Sequence, residues 1–393
     1  MLVLLHFHTL GFSPVQLAYL FVLYEIAGVI TNLSAGWVAA RFGLTSTLYA
    51  GLSLQVVALL ALTQLDPAWS ISASVVFVML VQGLSGVAKD LAKMSSKSAV
   101  KILAPATGGG LFRWVAILTG SKNAVKGSGF LLGAVSLAAF GFVPSVLTMA
   151  AILFVILISV MIGMPKGLPV GRKDAKFSEV FSKNRNINWL SAARLFLFGA
   201  RDVWFVVGIP IYFYAVLSDG STEGNRTAFF MIGTFMAVWT ILYGIVQGSA
   251  PRILKAASRT DEQILALAKR WVGLLVIVPA LLAGLVWLVP EPSNMLTATI
   301  VLGLLVFGGI FAVNSALHSF LILSFTDAKR VTMDVGFYYM ANAAGRLVGT
   351  VLSGFTYQMG GLPLCLVTAA VMIYISWLGT AQLKTRAPSV VVV

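Results

Sequence analysis

Five basic side chains fall inside stretches that are otherwise apolar: Lys89, Lys122, Lys126, Arg201 and Arg346. A charge at the centre of a bilayer costs at least about 2.5–3.5 kcal/mol on insertion scales, so it persists where it faces a cavity or a partner. Lys122 and Lys126 stand four residues apart and share one helix face. Lys89 and Lys93 share a face as well, and so do Arg194 and Arg201, seven apart. Lys122, Lys126, Arg201 and Arg346 are expected near mid-span. Lys89 is intermediate. Lys93, Arg113 and Arg194 lie nearer the span ends, where a long basic side chain snorkels to the interface.

Acidic groups in the same stretches are fewer: Glu25, Asp90, Asp202 and Asp334. Asp90 adjoins Lys89 and Asp202 adjoins Arg201, but neighbouring helical residues point about 100° apart, so adjacency alone makes neither an ion pair. With every acid paired, positive charge is still left over. A cationic centre in low dielectric attracts an anion. Arginine grips a phosphate-like oxyanion in two places, and lysine adds a mobile point charge. The five cations are therefore the expected substrate-binding set for a multiply charged oxyanion. Glu25, Asp202 and His318 are candidates for coupling, since an intramembrane acid or histidine can change charge. Glu25 could equally balance a cation, and His318 could be a polar contact or a satisfied core residue.

The elements that must hold these residues are membrane helices. Hydrophobic residues make up 59% of the 393 and charged residues 10%, with mean hydropathy +0.94, against about 25% charged in a soluble domain. Apolar stretches of roughly 20 residues recur, the length of a transmembrane helix. They predict eleven spans: 14–40, 46–64, 70–96, 112–140, 145–163, 187–216, 227–249, 268–289, 295–325, 331–357 and 361–382. Residues 1–10 are apolar but too short to cross. They read as the outer end of a first helix whose beginning is missing, for a total of twelve. No cleavable signal peptide is expected.

Loop charges set the orientation. Alternate loops and the tail hold eighteen basic residues: Arg41; Lys97 and Lys101; Lys166, Arg172, Lys173, Lys176, Lys183 and Arg185; Arg252, Lys255, Arg259, Lys269 and Arg270; Lys329 and Arg330; Lys384 and Arg386. The opposite loops hold one, Arg226. This bias predicts a multi-pass inner-membrane protein with a cytoplasmic C-terminus. The net charge of +14 resides mostly in those loops and does not imply nucleic-acid binding. The long polar connection at 164–186 divides the chain into an N-terminal half, 1–163, and a C-terminal half, 187–393. Two six-helix halves around a midplane site are the architecture of major facilitator transporters.

Other chemistries find little support. The single Cys365 excludes a disulfide framework and a thiolate metal cluster. His6, His8 and His318 make no evident metal site, and no phosphate-cradling loop is present. Neither a nucleophile elbow nor paired catalytic acids suggest an enzyme. No metal and no cofactor are expected, and the chain is expected to act as a monomer in the lipid bilayer.

Two sets of residues carry a family resemblance. "GWVAARFG", Gly36 to Gly43, resembles the major facilitator loop signature, matching at Gly36, Arg41 and Gly43, with Ala40 where the signature has Asp. "GVAKDLAKMSSKSAVK", "LFRWVAILTGSKNAVKGSGFLLG" and "LHFHTLGFSPVQLAYLFVLYEIAGVITNL" resemble the organoarsenical efflux permeases of that superfamily, the ArsJ type, along essentially the whole chain. The resemblance implies export of 1-arseno-3-phosphoglycerate, arsenate resistance, and a functional link to a glyceraldehyde-3-phosphate dehydrogenase that makes the ester. An alternative open on the same residues is transport or exchange of another phosphorylated metabolite or organic anion. Gly-x-x-x-Gly spacing in "GSGFLLG" and "AGRLVGTVLSG" predicts close helix approach near Lys126 and Arg346.

Overall fold

The computed structural model describes residues 2–385 apart from 43, 67, 104–109, 165–181, 256–258, 290, 292 and 327–330. Most of the expected 164–186 connection therefore lies outside the described residues, as do Gly43, Lys329, Arg330 and Arg386.

The described elements are helices: α1 (Leu2–Thr9), α2 (Pro14–Tyr19), α3 (Val22–Phe42), α4 (Leu44–Leu62), α5 (Ile71–Leu103), α6 (Gly110–Phe140), α7 (Phe142–Gly163), α8 (Arg185–Val203), α9 (Ile209–Leu217), α10 (Thr222–Ile253), α11 (Asp261–Leu288), α12 (Asn294–Phe325) and α13 (Val331–Ala381). Backbone groups in hydrocarbon have no water to bond, so the apolar stretches satisfy themselves as helices. Nine of the described helical stretches are long and apolar enough to cross a membrane, and Val125–Phe140 of α6 adds a shorter one. Helix 13 holds the last two expected spans. It turns at Gly360 and Gly361, and Gly361 has φ +62°, a conformation that suits glycine.

Local chemistry explains the starts and breaks. Ser13 and Gln16 form a reciprocal capping box at the start of α2, and Thr260 and Gln263 do the same for α11. Between α8 and α9 the helix widens into one π turn, Trp204–Gly208, just before Pro210. A π turn leaves backbone N–H groups without their usual carbonyls. Those of Val207 and Gly208 both donate to Ser353 Oγ at 3.2 Å, so a side chain on α13 closes the break.

Helices α3 and α13 pack together, and so do α6 and α10.

Glycines set several of these approaches. A Cβ on Gly345 would run into the Leu195 carbonyl, and one on Gly349 into Gly199, so α8 and α13 touch backbone to backbone. Gly86 brings α5 against Tyr24 of α3, where a Cβ would stand 2.6 Å from the carbonyl oxygen. On α6 the contact is made by Gly127 against Ala237 and Ile241, whereas Gly129 of the predicted Gly-x-x-x-Gly pair has nothing within 4 Å. The spacing pointed to the right helix and the wrong residue.

Candidate functional site

Lys89 and Lys126 lie near the middle of α5 and α6, and Arg201 near the middle of the apolar stretch Arg185–Leu217, whereas Glu25 stands in the first turn of α3. The close α8–α13 packing at Gly345 and Gly349 brings Arg346 beside Asp202, because the Cβ of Asp202 itself faces Gly349. The approach of α5 to α3 at Gly86 puts Lys89 Nζ 4.0 Å from the centre of the Tyr24 ring.

A continuous chain of ion pairs results. The Arg346 guanidinium donates through Nη2 to Glu25 Oε1 and through Nε to Asp202 Oδ2 at 3.2 Å. Asp202 Oδ1 accepts from Arg201 Nε at 2.6 Å and lies 2.5 Å from Nη2. The order is Glu25, Arg346, Asp202, Arg201, and it links α3 to α13 and α8. Arg201 and Asp202, expected to diverge by about 100°, do form a pair. The arginine side chain is long enough to curl back to its neighbour.

Glu25 and Asp202 are buried at 3% and 1% exposure. Burying a charge is tolerable when it is paired and hydrogen-bonded, which the chain of pairs supplies. The arrangement leaves cations over. Lys126 is within electrostatic reach of Arg201, Arg346, Asp202 and Lys89. Its Nζ lies 5.6 Å from the Phe130 ring centre, and no carboxylate stands within 4 Å of it among the described residues. Lys126 is exposed as a residue. Four cations, Lys89, Lys126, Arg201 and Arg346, share this centre with two acids that bridge them, Glu25 and Asp202. Lys122 stands one turn earlier on α6 and is exposed.

A third acid serves a neighbouring network. Asp90 is fully buried. Its Oδ1 lies 3.3 Å from Lys93 Nζ and 4.0 Å from Lys89 Nζ. Its Oδ2 accepts from Asn32 at 2.9 Å and from Thr31 at 3.1 Å. Lys93 was expected to snorkel and instead donates to Asn32 Oδ1 at 2.9 Å. Arg194 was expected to snorkel too, yet it is buried. Thr31 and Asn32 were missed in the sequence because they carry no formal charge, the signal by which intramembrane groups were picked out. The remaining coupling candidate, His318, lies on α12, fully buried and away from the ion-pair chain, within reach of Arg194.

Outside the spans, Asp219 occupies the turn before α10. Its carboxyl sits below the usual carboxylate range because Ser221 donates to it, the backbone N–H at 2.9 Å. This is turn chemistry at the surface. Among the described residues no group of three or more His, Cys, Asp and Glu could hold a metal ion.

No family model matches the chain, and no curated protein matches it. Solved structures do. A POT family transporter, solved in complex with 5-aminolevulinic acid, superposes with TM-score 0.72 over 95% of this chain and 88% of that one, at 14% identity. The chain has a major facilitator transporter fold.

Proposed function

We propose that this chain is an efflux transporter for an anionic organoarsenical, 1-arseno-3-phosphoglycerate, and gives arsenate resistance by alternating access. The observation that carries the reading is Lys126, a cation with no carboxylate within 4 Å among the described residues, within electrostatic reach of Arg201, Arg346 and Lys89. A phosphate monoester alone carries about −1.5 to −2 at pH 7, and the acyl arsenate adds more negative charge. Lys126, Lys122 and Lys89 attract the ligand. Arg201 and Arg346 offer guanidinium forks to its oxyanions. Pentavalent arsenic as an oxyanion needs cations rather than thiols, in keeping with one buried cysteine. The choice of an arseno-ester rests on the sequence resemblance. The charge argument supports the wider class of multiply charged anions.

The ion-pair chain supplies a route from binding to movement. Glu25 and Arg346 belong to opposite halves, and an anion that takes Arg346 competes with Glu25. Binding thereby weakens a link that holds one relative position of the halves. A ligand shifts such an equilibrium by its difference in affinity for the two states. Release of Glu25 from Arg346 is the step that would give it the coupling role. Asp202 stays with Arg201.

A second reading has a specific observation behind it. The POT family neighbour is solved with a small organic acid, and the same cations would hold carboxylates or another phosphorylated metabolite. The test is arsenate resistance in cells expressing the chain with and without a matching glyceraldehyde-3-phosphate dehydrogenase. Resistance is expected only with both. Resistance without the dehydrogenase overturns the arseno-ester assignment. Exchange of phosphorylated metabolites for phosphate in vesicles, without resistance in cells, establishes the second reading.

A further inference from the structure

Helix 8 carries a second buried guanidinium. Arg194 lies seven residues before Arg201, about 10 Å along the helix axis and toward the end that bears the 164–186 connection. Its exposure is 4%. It is held without a counter-ion: Nε donates to Asn342 Oδ1 at 2.9 Å and Nη1 to the Ser315 carbonyl at 3.3 Å. No carboxylate lies within 4 Å of it among the described residues. The guanidinium has five N–H donors, and these two bonds use a minority of them. Its remaining neighbours are aromatic faces, Phe198 at 3.8 Å and Tyr338 at 5.0 Å from ring centre.

Polar groups near it lack partners among the described residues: both ring nitrogens of His318 and Ser191 Oγ are buried with no hydrogen-bond partner there. His318 is within electrostatic reach of Arg194. Buried polar atoms are almost always bonded, and each exception calls for a reason. Imidazole offers at least one N–H in either protonation state, and a serine hydroxyl offers another. A buried cation without a counter-ion, beside unengaged donors, is the chemistry of an oxyanion site. Phe198 joins it to the central cluster. Its ring lies 3.8 Å from the Arg194 guanidinium and 5.0 Å from that of Arg201, so one aromatic face stands between the two cations.

We infer that Arg194, His318 and Ser191 form a second oxyanion subsite on the cytoplasmic side of the central cluster, where the anion is held before it passes the Phe198 ring to Arg201. The inference rests on the reading of the chain as an anion transporter. It assigns His318 to ligand binding rather than to coupling. The ligand class is a phosphate- or carboxylate-bearing small anion. All three side chains are buried here, so an anion reaches them only when the helices around them move apart in the alternate conformation.

Sidedness tests it. Initial rates of uptake of radiolabelled 3-phosphoglycerate and of inorganic phosphate are measured in inside-out and right-side-out vesicles carrying the full chain. Arg194→Gln is expected to raise the half-saturating concentration at the cytoplasmic face roughly tenfold, equivalent to about 1.4 kcal/mol, and to leave the outer face unchanged. His318→Gln and Ser191→Ala shift the same face by less, and Arg194→Lys recovers part of the loss. An equal rise on both faces, or no rise, overturns the subsite. Lys126→Gln acts as the second arm and is expected to weaken both faces. A one-sided Arg194→Gln effect with Lys126→Gln silent sinks the central reading and keeps the subsite, and the reverse does the opposite. If Arg194→Gln does not reach the membrane, His318→Gln decides by the same criterion. No saturable uptake of either probe by the unmodified chain overturns both.

Discussion

Arg201 and Arg194 stand two turns apart on one face of one helix, and the protein solves the same problem for each in a different way. Arg201 is bound to Asp202 at 2.5–2.6 Å, and Asp202 is shared with Arg346. Arg194 has an amide oxygen, a carbonyl and two aromatic faces. The first arrangement stores negative charge inside the protein, so an arriving anion has to compete for the arginine. The second stores none, so an anion there displaces nothing. An ion pair that a ligand must open couples binding to a change of state, whereas a pocket of neutral acceptors simply holds.

Two substitutions break this comparison at the level of the fold, and the larger comes first. Gly345 faces the Leu195 carbonyl, one residue from Arg194. Gly345→Val forces α8 and α13 apart, and both arginines lose their partners on α13, Asn342 for Arg194 and the shared Asp202–Arg346 pairing for Arg201. The expected outcome is loss of monodisperse protein on size-exclusion chromatography. Recovery of folded, active protein would show that the glycine contact does not set either site. Asp202→Asn comes next. It leaves Arg201 and Arg346 buried without their shared carboxylate, and breaking a buried pair in this way costs about 3–5 kcal/mol. A fall in the thermal midpoint much larger than that of Asn342→Ala is expected. Equal falls would erase the distinction between ion-paired and neutral support.

The sequence made parts of this legible and concealed others for physical reasons. Apolar runs of membrane length announce spans, because the bilayer fixes both length and composition, and the helices follow them. Charge inside an apolar run also stands out, and four of the five cations read from that signal come together, with Lys89, Arg201 and Arg346 all within electrostatic reach of Lys126. Pairing was not legible. Which acid neutralises which cation depends on the rotation and approach of different helices, and Glu25 and Arg346 are 321 residues apart. Snorkelling was misjudged at Arg194 and Lys93, since it was read from distance to a span end, while the neighbouring helices decide whether a side chain can reach the interface. Asn32, Thr31 and Asn342 carried no sequence signal, because an amide or hydroxyl in a membrane helix is common whether or not it has work to do.

A smaller effect isolates the helix break behind Arg201. Ser353 Oγ accepts the N–H groups of both Val207 and Gly208, which the π turn has freed. Ser353→Ala leaves two buried donors without an acceptor, about 1–3 kcal/mol for each such group. A lower thermal midpoint with retained binding at Arg194 and weakened binding at Arg201 is expected, because the π turn begins two residues after Asp202. Uniform weakening at both arginines would show that the break serves the bundle as a whole and positions neither one.

The smallest expected change in stability belongs to Lys126, and it discriminates most sharply between stability and function. Removing one member of a buried ion pair destabilises, because the other is stranded. Lys126 has no carboxylate within 4 Å among the described residues and stands among like charges. Lys126→Gln strands nothing and relieves repulsion, so the thermal midpoint should hold or rise. Uptake should nonetheless fall by roughly tenfold or more, the equivalent of about 1.4 kcal/mol of lost attraction. The paired set, Asp202 above all, would lose both stability and transport together. A Lys126→Gln protein that is destabilised like Asp202→Asn would place Lys126 among the structural charges, and the anion site would then have to be sought at Lys89 and Arg194.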